Sequence, residues 1–130
     1  MRIVTLPRSA ALSLALLFLV TPLLGGCYDN AQGAESSIGN AAHGAALIRK
    51  SGCGVCHTIP GIEGADGLVG PPLTHIGARV YLAGVLRNTP DNMITWLRNP
   101  QAVVPNNAMP NLGLTARQAR DITAYLQSLR

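Results

Sequence analysis

Apolar residues at helical spacing mark three segments of the chain. In the first, steps of three and four residues predict a short helix over residues 38–50 that ends before Ser51. The second begins at Thr89 and Pro90, a pairing typical of a helix N-cap and the first helical position, and it runs to about Arg98. The apolar face of this second helix consists of Met93, Trp96 and Leu97.

The third helical segment begins at Thr115, which forms a capping box with Gln118. The intervening stretches, chiefly residues 59–73 and 100–113, are rich in glycine and proline or polar residues and predict loops. No segment alternates as a strand does, so the pattern predicts an all-α domain of three to four helices over residues 39–130. Loops of this length are unusual in a compact domain unless they wrap around something.

Residues 1–26 differ in composition from the rest of the chain. Arg2 and Arg8 precede an apolar run from about residue 10 to residue 24, and nothing acidic appears before Asp29. A basic start, a short apolar run and small residues at its end are typical of an export signal. The alternative is an uncleaved membrane anchor. The run is short for a membrane span, however, and it contains Pro22 near its end.

The sequence LLGGC places two glycines directly before Cys27. This arrangement resembles the lipobox of bacterial lipoproteins, which implies acylation of the Cys27 thiol and a mature chain that starts there. Two or more acyl chains give stable membrane anchoring. We therefore expect residues 27–38, which are mostly small and polar, to comprise an acylated cysteine and a flexible tether. Ordinary signal cleavage, with Cys27 left as an odd thiol, is the alternative.

Composition after the signal narrows the range of partners and points to a bound group. From Cys27 onward the chain has eight basic and six acidic side chains without basic runs, which argues against nucleic acid as a partner. The same part has three tyrosines, one tryptophan and no phenylalanine. A small domain with so few large apolar side chains often needs a disulfide, a metal or a cofactor to complete its core.

The motif CGVCH supplies such a cofactor site. Two cysteines, Cys53 and Cys56, flank two residues, and His57 follows directly, which is the attachment signature of a c-type haem. A thioredoxin-type pair would need a βαβ context, and a zinc site would need a second pair of ligands where only His43 and His75 remain. A disulfide across the motif would leave His57 unexplained. We expect His43 and His75 to be surface residues.

Several motifs in sequence order resemble class I cytochromes c across residues 39–130. In detail they are similar to the cytochrome c domain fused to subunit II of caa3-type cytochrome oxidases. The resemblance implies a small class I cytochrome c fold, with three to four helices and long loops around one covalent haem c. The cysteine-rich site that would hold the oxidase subunit's copper pair has no counterpart in the sequence. The motifs are CGVCHTI, VGPPLTHIGAR, GVLRNTPDNMITWLRNPQ, AMPNLGLT and ARDITAYLQSL.

The resemblance also implies the two axial iron ligands, with His57 on the proximal side and Met109 on the distal side. Met109 stands in a loop between polar residues and Pro110, whereas Met93 lies on the apolar face of a helix, where a methionine usually fills the core. A methionine opposite a histidine raises the reduction potential, which suits an electron carrier. A histidine or an open position in place of Met109 is the alternative.

Further residues take roles by the same resemblance. Pro71 matches the proline whose carbonyl accepts a hydrogen bond from the proximal histidine, which would fix the orientation of His57. Arg79 falls where a propionate partner is often found, a solvated surface arginine being the alternative. Gly44 and Tyr125 are expected to mark the crossing of the first and last helices. Trp96 and Leu97 are expected to pack on the haem.

With both axial positions filled, the iron has no place for a small-molecule substrate. We therefore expect a one-electron carrier on the periplasmic face of the membrane, reduced by a quinol-oxidising complex and reoxidised by a terminal oxidase. One alternative is a haem subunit that stays docked on an oxidase or dehydrogenase. Another is a haem enzyme or gas sensor, which would require Met109 to be absent from the iron or displaced.

Overall fold

The computed structural model describes residues 37–130. The expected export signal, the lipobox at Cys27 and nearly all of the tether lie outside the described residues. Helix α1 (Ala41–Lys50) starts three residues later than the periodicity indicated, because Asn40 acts as the N-cap and its Oδ1 accepts the N–H of His43 at 2.9 Å. Ile38 fits the helical spacing but lies before the cap, and for this reason the predicted start of α1 was too early.

A two-stranded antiparallel hairpin follows the loops after α1, and the expectation that no strand forms was wrong here. Strands β1 (Tyr81–Leu82) and β2 (Leu86–Arg87) have two residues each, which is too short for alternation to be visible in sequence. Their turn places Ala83 at φ 49° and Gly84 at φ 74°, and the N–H of Val85 donates to the carbonyl of Leu82 at 3.0 Å. Two successive positive φ angles are the signature of a tight hairpin turn.

Helix α2 (Pro90–Arg98) confirms the predicted second helix. The hydroxyl of Thr89 accepts the N–H of Asn92 at 3.2 Å, as the N-cap prediction required. A further one-turn helix, α3 (Pro100–Val103), was expected to be loop. It forms because Pro100 occupies its first position and the side chain of Asn99 accepts the N–H of Ala102. Four residues are too few to show helical periodicity, so the sequence did not predict this helix.

Helix α4 (Ala116–Ser128) closes the fold as predicted. Its capping box is complete, since the Thr115 hydroxyl accepts the N–H of Gln118 while the Gln118 side chain accepts the N–H of Thr115. The described residues form four α-helices with long loops, which confirms the predicted small class I cytochrome c fold, and the hairpin is an addition to it. Within residues 37–130, no helix combines the length and apolar character that crossing a membrane requires.

Helices α1 and α4 cross with their backbones in direct contact at Gly44. A Cβ at this position would lie 2.0 Å from the carbonyl oxygen of Asp121, so only glycine permits the approach. Tyr125, which was also expected at this crossing, donates its phenol O–H to the carbonyl of Pro60 at 2.6 Å and ties α4 to the loop after the cysteine motif. The buried core between the helices and loops includes Ile48, Ile59, Ile76, Leu82, Met93, Leu97, Ile122 and Leu126.

Candidate functional site

A cavity of about 400 Å³ lies inside the ring of loops between α1 and α4, and core side chains form much of its wall. This volume falls within the usual range of small-molecule and cofactor sites. The structure brings together around it every site residue that the sequence suggested within the described part of the chain. These are Cys53, Cys56, His57, Pro71, Arg79, Trp96, Leu97 and Met109.

The two cysteines project from one tight turn. A 3₁₀ turn spans Cys53–Val55, and the N–H groups of Cys56 and His57 both donate to the carbonyl oxygen of Cys53, at 3.2 and 3.0 Å. Both thiols are free and half-buried. Burial raises the pKa of the Cys53 thiol above its ordinary value, and the adjacent Cys56 adds to the rise against an opposing backbone hydrogen bond. Cys53 is therefore a neutral thiol in an apolar wall at neutral pH.

Gly54 lets the loop that follows the motif pack closely against the cysteine turn. Gly54, between the cysteines, would place a Cβ 2.7 Å from the Cα of Ala65, so the loop after the motif packs on bare backbone. That loop returns to the motif through two bonds, from the N–H of Gly67 to the carbonyl of Gly54 at 3.0 Å and from the N–H of Gly70 to the carbonyl of Cys56 at 2.7 Å. The loop after the motif thus holds the cysteine turn through its backbone.

The imidazole of His57 is oriented by the backbone that follows this loop. Its Nδ1 lies 2.7 Å from the carbonyl oxygen of Pro71. A carbonyl can only accept, so Nδ1 carries a proton, and in the neutral imidazole Nε2 keeps its lone pair. Gly70 packs against the ring, where a Cβ would lie only 2.4 Å from the Cε1 atom of His57. The ring is therefore fixed by a hydrogen bond on its edge and by bare backbone beside it.

Two methionines line the cavity, in different settings. Met93 is 1% exposed on α2 and belongs to the hydrophobic core, as expected. Met109 is half-buried in the loop after α3, and its N–H donates to the side-chain oxygen of Asn107 at 2.8 Å. Trp96 and Leu97 also face the cavity, with Leu97 buried and Trp96 half-buried.

Arg79 and Tyr81 both line the cavity. The guanidinium of Arg79 donates to the carbonyl oxygen of Pro72. Asn88 holds the segment that carries it, since its Nδ2 donates to the carbonyl oxygens of Ile76 at 2.6 Å and Arg79 at 2.9 Å. Arg79 lines the cavity and is exposed, so its role as a propionate partner stays a prediction beside the alternative of a solvated surface arginine.

The loops around the cavity carry no charge over long stretches. Residues 51–62, 67–78 and 99–116 contain no Asp, Glu, Lys or Arg. Apolar side chains on two of these loops are exposed instead, with Val55 at 77%, Leu68 at 86% and Val69 at 78%. Val69 also lines the cavity. A neutral, apolar surface therefore borders the cavity on the side of the cysteine turn.

Sequence reasoning missed several residues that shape the site. Gly70 could have been suspected from its place directly before Pro71, because a glycine there allows a close approach. Tyr81 and Asn88 gave no signal, since a two-residue strand has no periodicity and an asparagine near a turn is more often solvated. His43 and His75, expected on the surface, are both exposed.

Comparisons with known proteins agree with one another. Residues 41–130 match the family model for cytochrome c. Cytochrome c oxidase subunit 2 of Alkalihalophilus pseudofirmus is 32% identical over 91 residues, which cover 69% of this chain and 26% of that protein. The same subunit of Bacillus sp. (strain PS3) is 35% identical over 94 residues, with the same shares, and that of Bacillus subtilis is 29% identical over 101 residues. The match thus spans about a quarter of the length of these relatives.

Proposed function

The chain belongs to the cytochrome c family, and on that premise we propose that it is a one-electron carrier with a single, covalently attached haem c. It passes electrons on the periplasmic side of the membrane, in a respiratory chain that leads to a terminal oxidase. The observation that carries this proposal is the convergence of Cys53, Cys56, His57 and Met109 on one cavity.

The residues present fit a haem. Both thiols of the cysteine turn are free to form thioethers with its vinyl groups, and they line the same wall as the imidazole. His57 offers Nε2 because Nδ1 is already bonded to the carbonyl of Pro71. When bound, the haem supplies an iron that alternates between the ferrous and ferric states. Trp96 and Leu97 would provide apolar packing surface from α2, and Arg79, which also lines the cavity, would supply a cation for a propionate.

The protein's own part in the transfer is to hold the ligands still and to exclude water. The hydrogen bond that the Nδ1–H of His57 donates to the carbonyl of Pro71 raises the basicity of the imidazole and restricts its rotation. Met109 would offer a thioether donor, which favours the reduced state of the iron and would keep small molecules from binding to it. The neutral apolar surface at Val55, Leu68 and Val69 suits the small, transient contact through which redox partners exchange an electron.

A second candidate is a haem subunit that stays docked on a larger complex. The names of the relatives favour it, because each is a subunit of cytochrome c oxidase. Export, acylation at Cys27 and attachment to the periplasmic face complete either version, since an anchor raises the effective concentration at the membrane. Mild detergent extraction followed by purification through a tag on the carboxyl end separates the versions. A stoichiometric oxidase partner supports docking, and a monomeric haem protein supports shuttling.

The test of the function is a spectroelectrochemical titration of the protein matured in a host with haem-attachment machinery. We expect one haem c couple at high positive potential and no reaction of the reduced protein with carbon monoxide. Met109→Ala should lower the potential and open the iron to carbon monoxide, whereas the matched Met93→Leu, which conserves core volume, should leave the iron closed to carbon monoxide. Ready carbon monoxide binding by the unmodified protein would instead favour a haem enzyme or sensor. Absence of a haem c spectrum would refute the proposal.

A further inference from the structure

The loop that carries Met109 is held by side-chain amides rather than by regular secondary structure. Gln101, on α3, uses both ends of its amide. Its Nε2 donates to the carbonyl oxygens of Asn107 at 2.9 Å and Met109 at 3.0 Å, and its Oε1 accepts the N–H of Asn106 at 3.1 Å. One side chain thus binds the backbone of three residues in the four-residue stretch that ends at Met109.

Asn107 completes the arrangement from within the loop. Its Oδ1 accepts the N–H of Met109 at 2.8 Å, while its Nδ2 donates to the carbonyl oxygens of Pro100 at 3.0 Å and Val104 at 2.6 Å. Both backbone polar groups of Met109 are therefore bonded to side-chain amides. Those two amides also connect the loop to α3 at both ends of that helix.

Helix α3 is a firm base for this loop. Pro100 is fully buried, and Asn99 caps the turn through the N–H of Ala102 at 3.2 Å. The chain reverses beyond α3 at Asn106, which adopts φ 62°, a conformation that asparagine tolerates better than most residues. The reversal returns the backbone toward Gln101, so the amide of Gln101 can reach two carbonyls and one N–H together.

We propose that Gln101 and Asn107 are positioning residues that hold the Met109 thioether at the iron. This inference rests on the proposed function, because it requires Met109 to be the distal ligand. A methionine side chain has three rotatable bonds and no preferred shape of its own. Its hold on a metal therefore depends on how narrowly its backbone is confined. Loss of either amide widens the range of positions of Met109 and increases the fraction of time that the iron is open.

The experiment compares Gln101→Ala with Gln118→Ala in the haem-loaded protein. The control is matched, since Gln118 is also a half-buried glutamine whose Oε1 makes two bonds of 2.9 Å, with the N–H and the hydroxyl of Thr115. Two signals report on Met109 itself, the red charge-transfer band of the methionine-ligated ferric haem and carbon monoxide binding by the ferrous haem. In Gln101→Ala we expect the band to disappear well below the temperature of global unfolding. We expect carbon monoxide to bind at least about tenfold faster, which corresponds to about 1.4 kcal/mol. Gln118→Ala should lower global stability alone.

A second variant separates hydrogen bonding from side-chain volume. Gln101→Glu keeps the size and the acceptor oxygen but replaces the donor to the carbonyls of Asn107 and Met109 by a second acceptor. We expect it to loosen Met109 as much as Gln101→Ala does. Amide hydrogen exchange at Asn106 gives a readout independent of the iron, and it should accelerate in Gln101→Ala, which removes its acceptor, and not in Gln118→Ala.

The outcomes distinguish the two proposals. If the unmodified protein lacks the charge-transfer band, Met109 is not the ligand, and the ligation in the proposed function fails together with this inference. If the unmodified protein has the band and Gln101→Ala loses it only in parallel with global unfolding, as Gln118→Ala does, the positioning role alone is refuted. Full ligation in Gln101→Glu would equally refute a role that depends on donation from Nε2.

Discussion

Replacing Gly70 by alanine tests whether the packing of bare backbone against His57 matters to the site. The new Cβ would lie 2.4 Å from Cε1 of the ring, whereas ordinary contact begins at 3.4 Å, so the ring has to retreat by the difference of 1.0 Å. A shift of this size breaks or weakens the bond between Nδ1 and the carbonyl of Pro71. Gly70 has no positive φ, so backbone strain adds nothing to the effect.

The magnitude follows from two terms. The lost hydrogen bond costs about 1 kcal/mol net. Overpacking a filled contact costs a further 1–3 kcal/mol, roughly. The sum of about 2–4 kcal/mol corresponds to a fall in Tm of about 10 °C or more for a domain of this size. In addition, a weaker donor at His57 stabilises the ferric state less, so the reduction potential should rise.

The assay combines thermal unfolding of the haem-loaded protein with a redox titration and the NMR signal of the imidazole N–H. Gly64→Ala is the control, since a Cβ there meets nothing within 4 Å and its φ of +71° costs stability by backbone strain alone. It should lower Tm by less and leave the potential and the N–H signal unchanged. If Gly70→Ala retained the potential and the N–H signal and unfolded no earlier than Gly64→Ala, the packing of Gly70 against the ring would have no role in orienting His57.

Three other substitutions test the framework around the site. Helix propensity alone would make Gly44→Ala stabilising by about 1 kcal/mol. A Cβ 2.0 Å from the carbonyl oxygen of Asp121 should instead make it destabilising. Increased stability in urea unfolding would contradict the tight crossing of α1 and α4. Thr123 is fully buried, and its hydroxyl has no hydrogen-bond partner among the described residues. Thr123→Val should therefore raise the free energy of unfolding by about 1 kcal/mol in calorimetry. A lowered Tm would mean that the hydroxyl has a partner. Tyr125→Phe removes the bond to Pro60 and should cost about 1 kcal/mol in denaturant titration. Burial raises the pKa of Tyr125 above 10.0. The stability that the phenol contributes is therefore complete below pH 10.0 and is lost as the pH rises through the raised pKa. A stability difference between the two proteins that persisted at higher pH would contradict this assignment.

The helices that the sequence predicted well are those whose ends carry local signals. The hydroxyls of Thr89 and Thr115 each accept an N–H three residues into the helix that follows, so neither helix start depends on distant packing. Helix α3 and the hairpin escaped prediction because four residues and two residues are too few for any period to show. Asn40 shows the remaining source of error, since the cap rather than the apolar spacing determined the start of α1.

The residues of the candidate site also fall into those that local sequence predicts and those that only the fold brings together. The cysteines and His57 form a contiguous motif, so their proximity to one another follows from the sequence alone. The amides of Gln101 and Asn107 lie in a neutral polar stretch, where nothing distinguishes a residue that clamps a loop from one that is solvated. Only the reversal of the chain at Asn106 brings them onto the backbone of Met109. Such long-range consequences of a single backbone angle are absent from composition and periodicity.

The contact between α1 and α4 has a kinetic and genetic consequence. Helix α1 ends at Lys50 and α4 begins at Ala116, so 65 residues have to be looped out before the two can meet. Closing a loop of that length costs chain entropy before the contact between the two helices can offset it. Almost the whole cavity wall lies inside this interval. A nonsense mutation or a proteolytic cut within α4 would therefore abolish the site at once, although no proposed iron ligand lies in that helix.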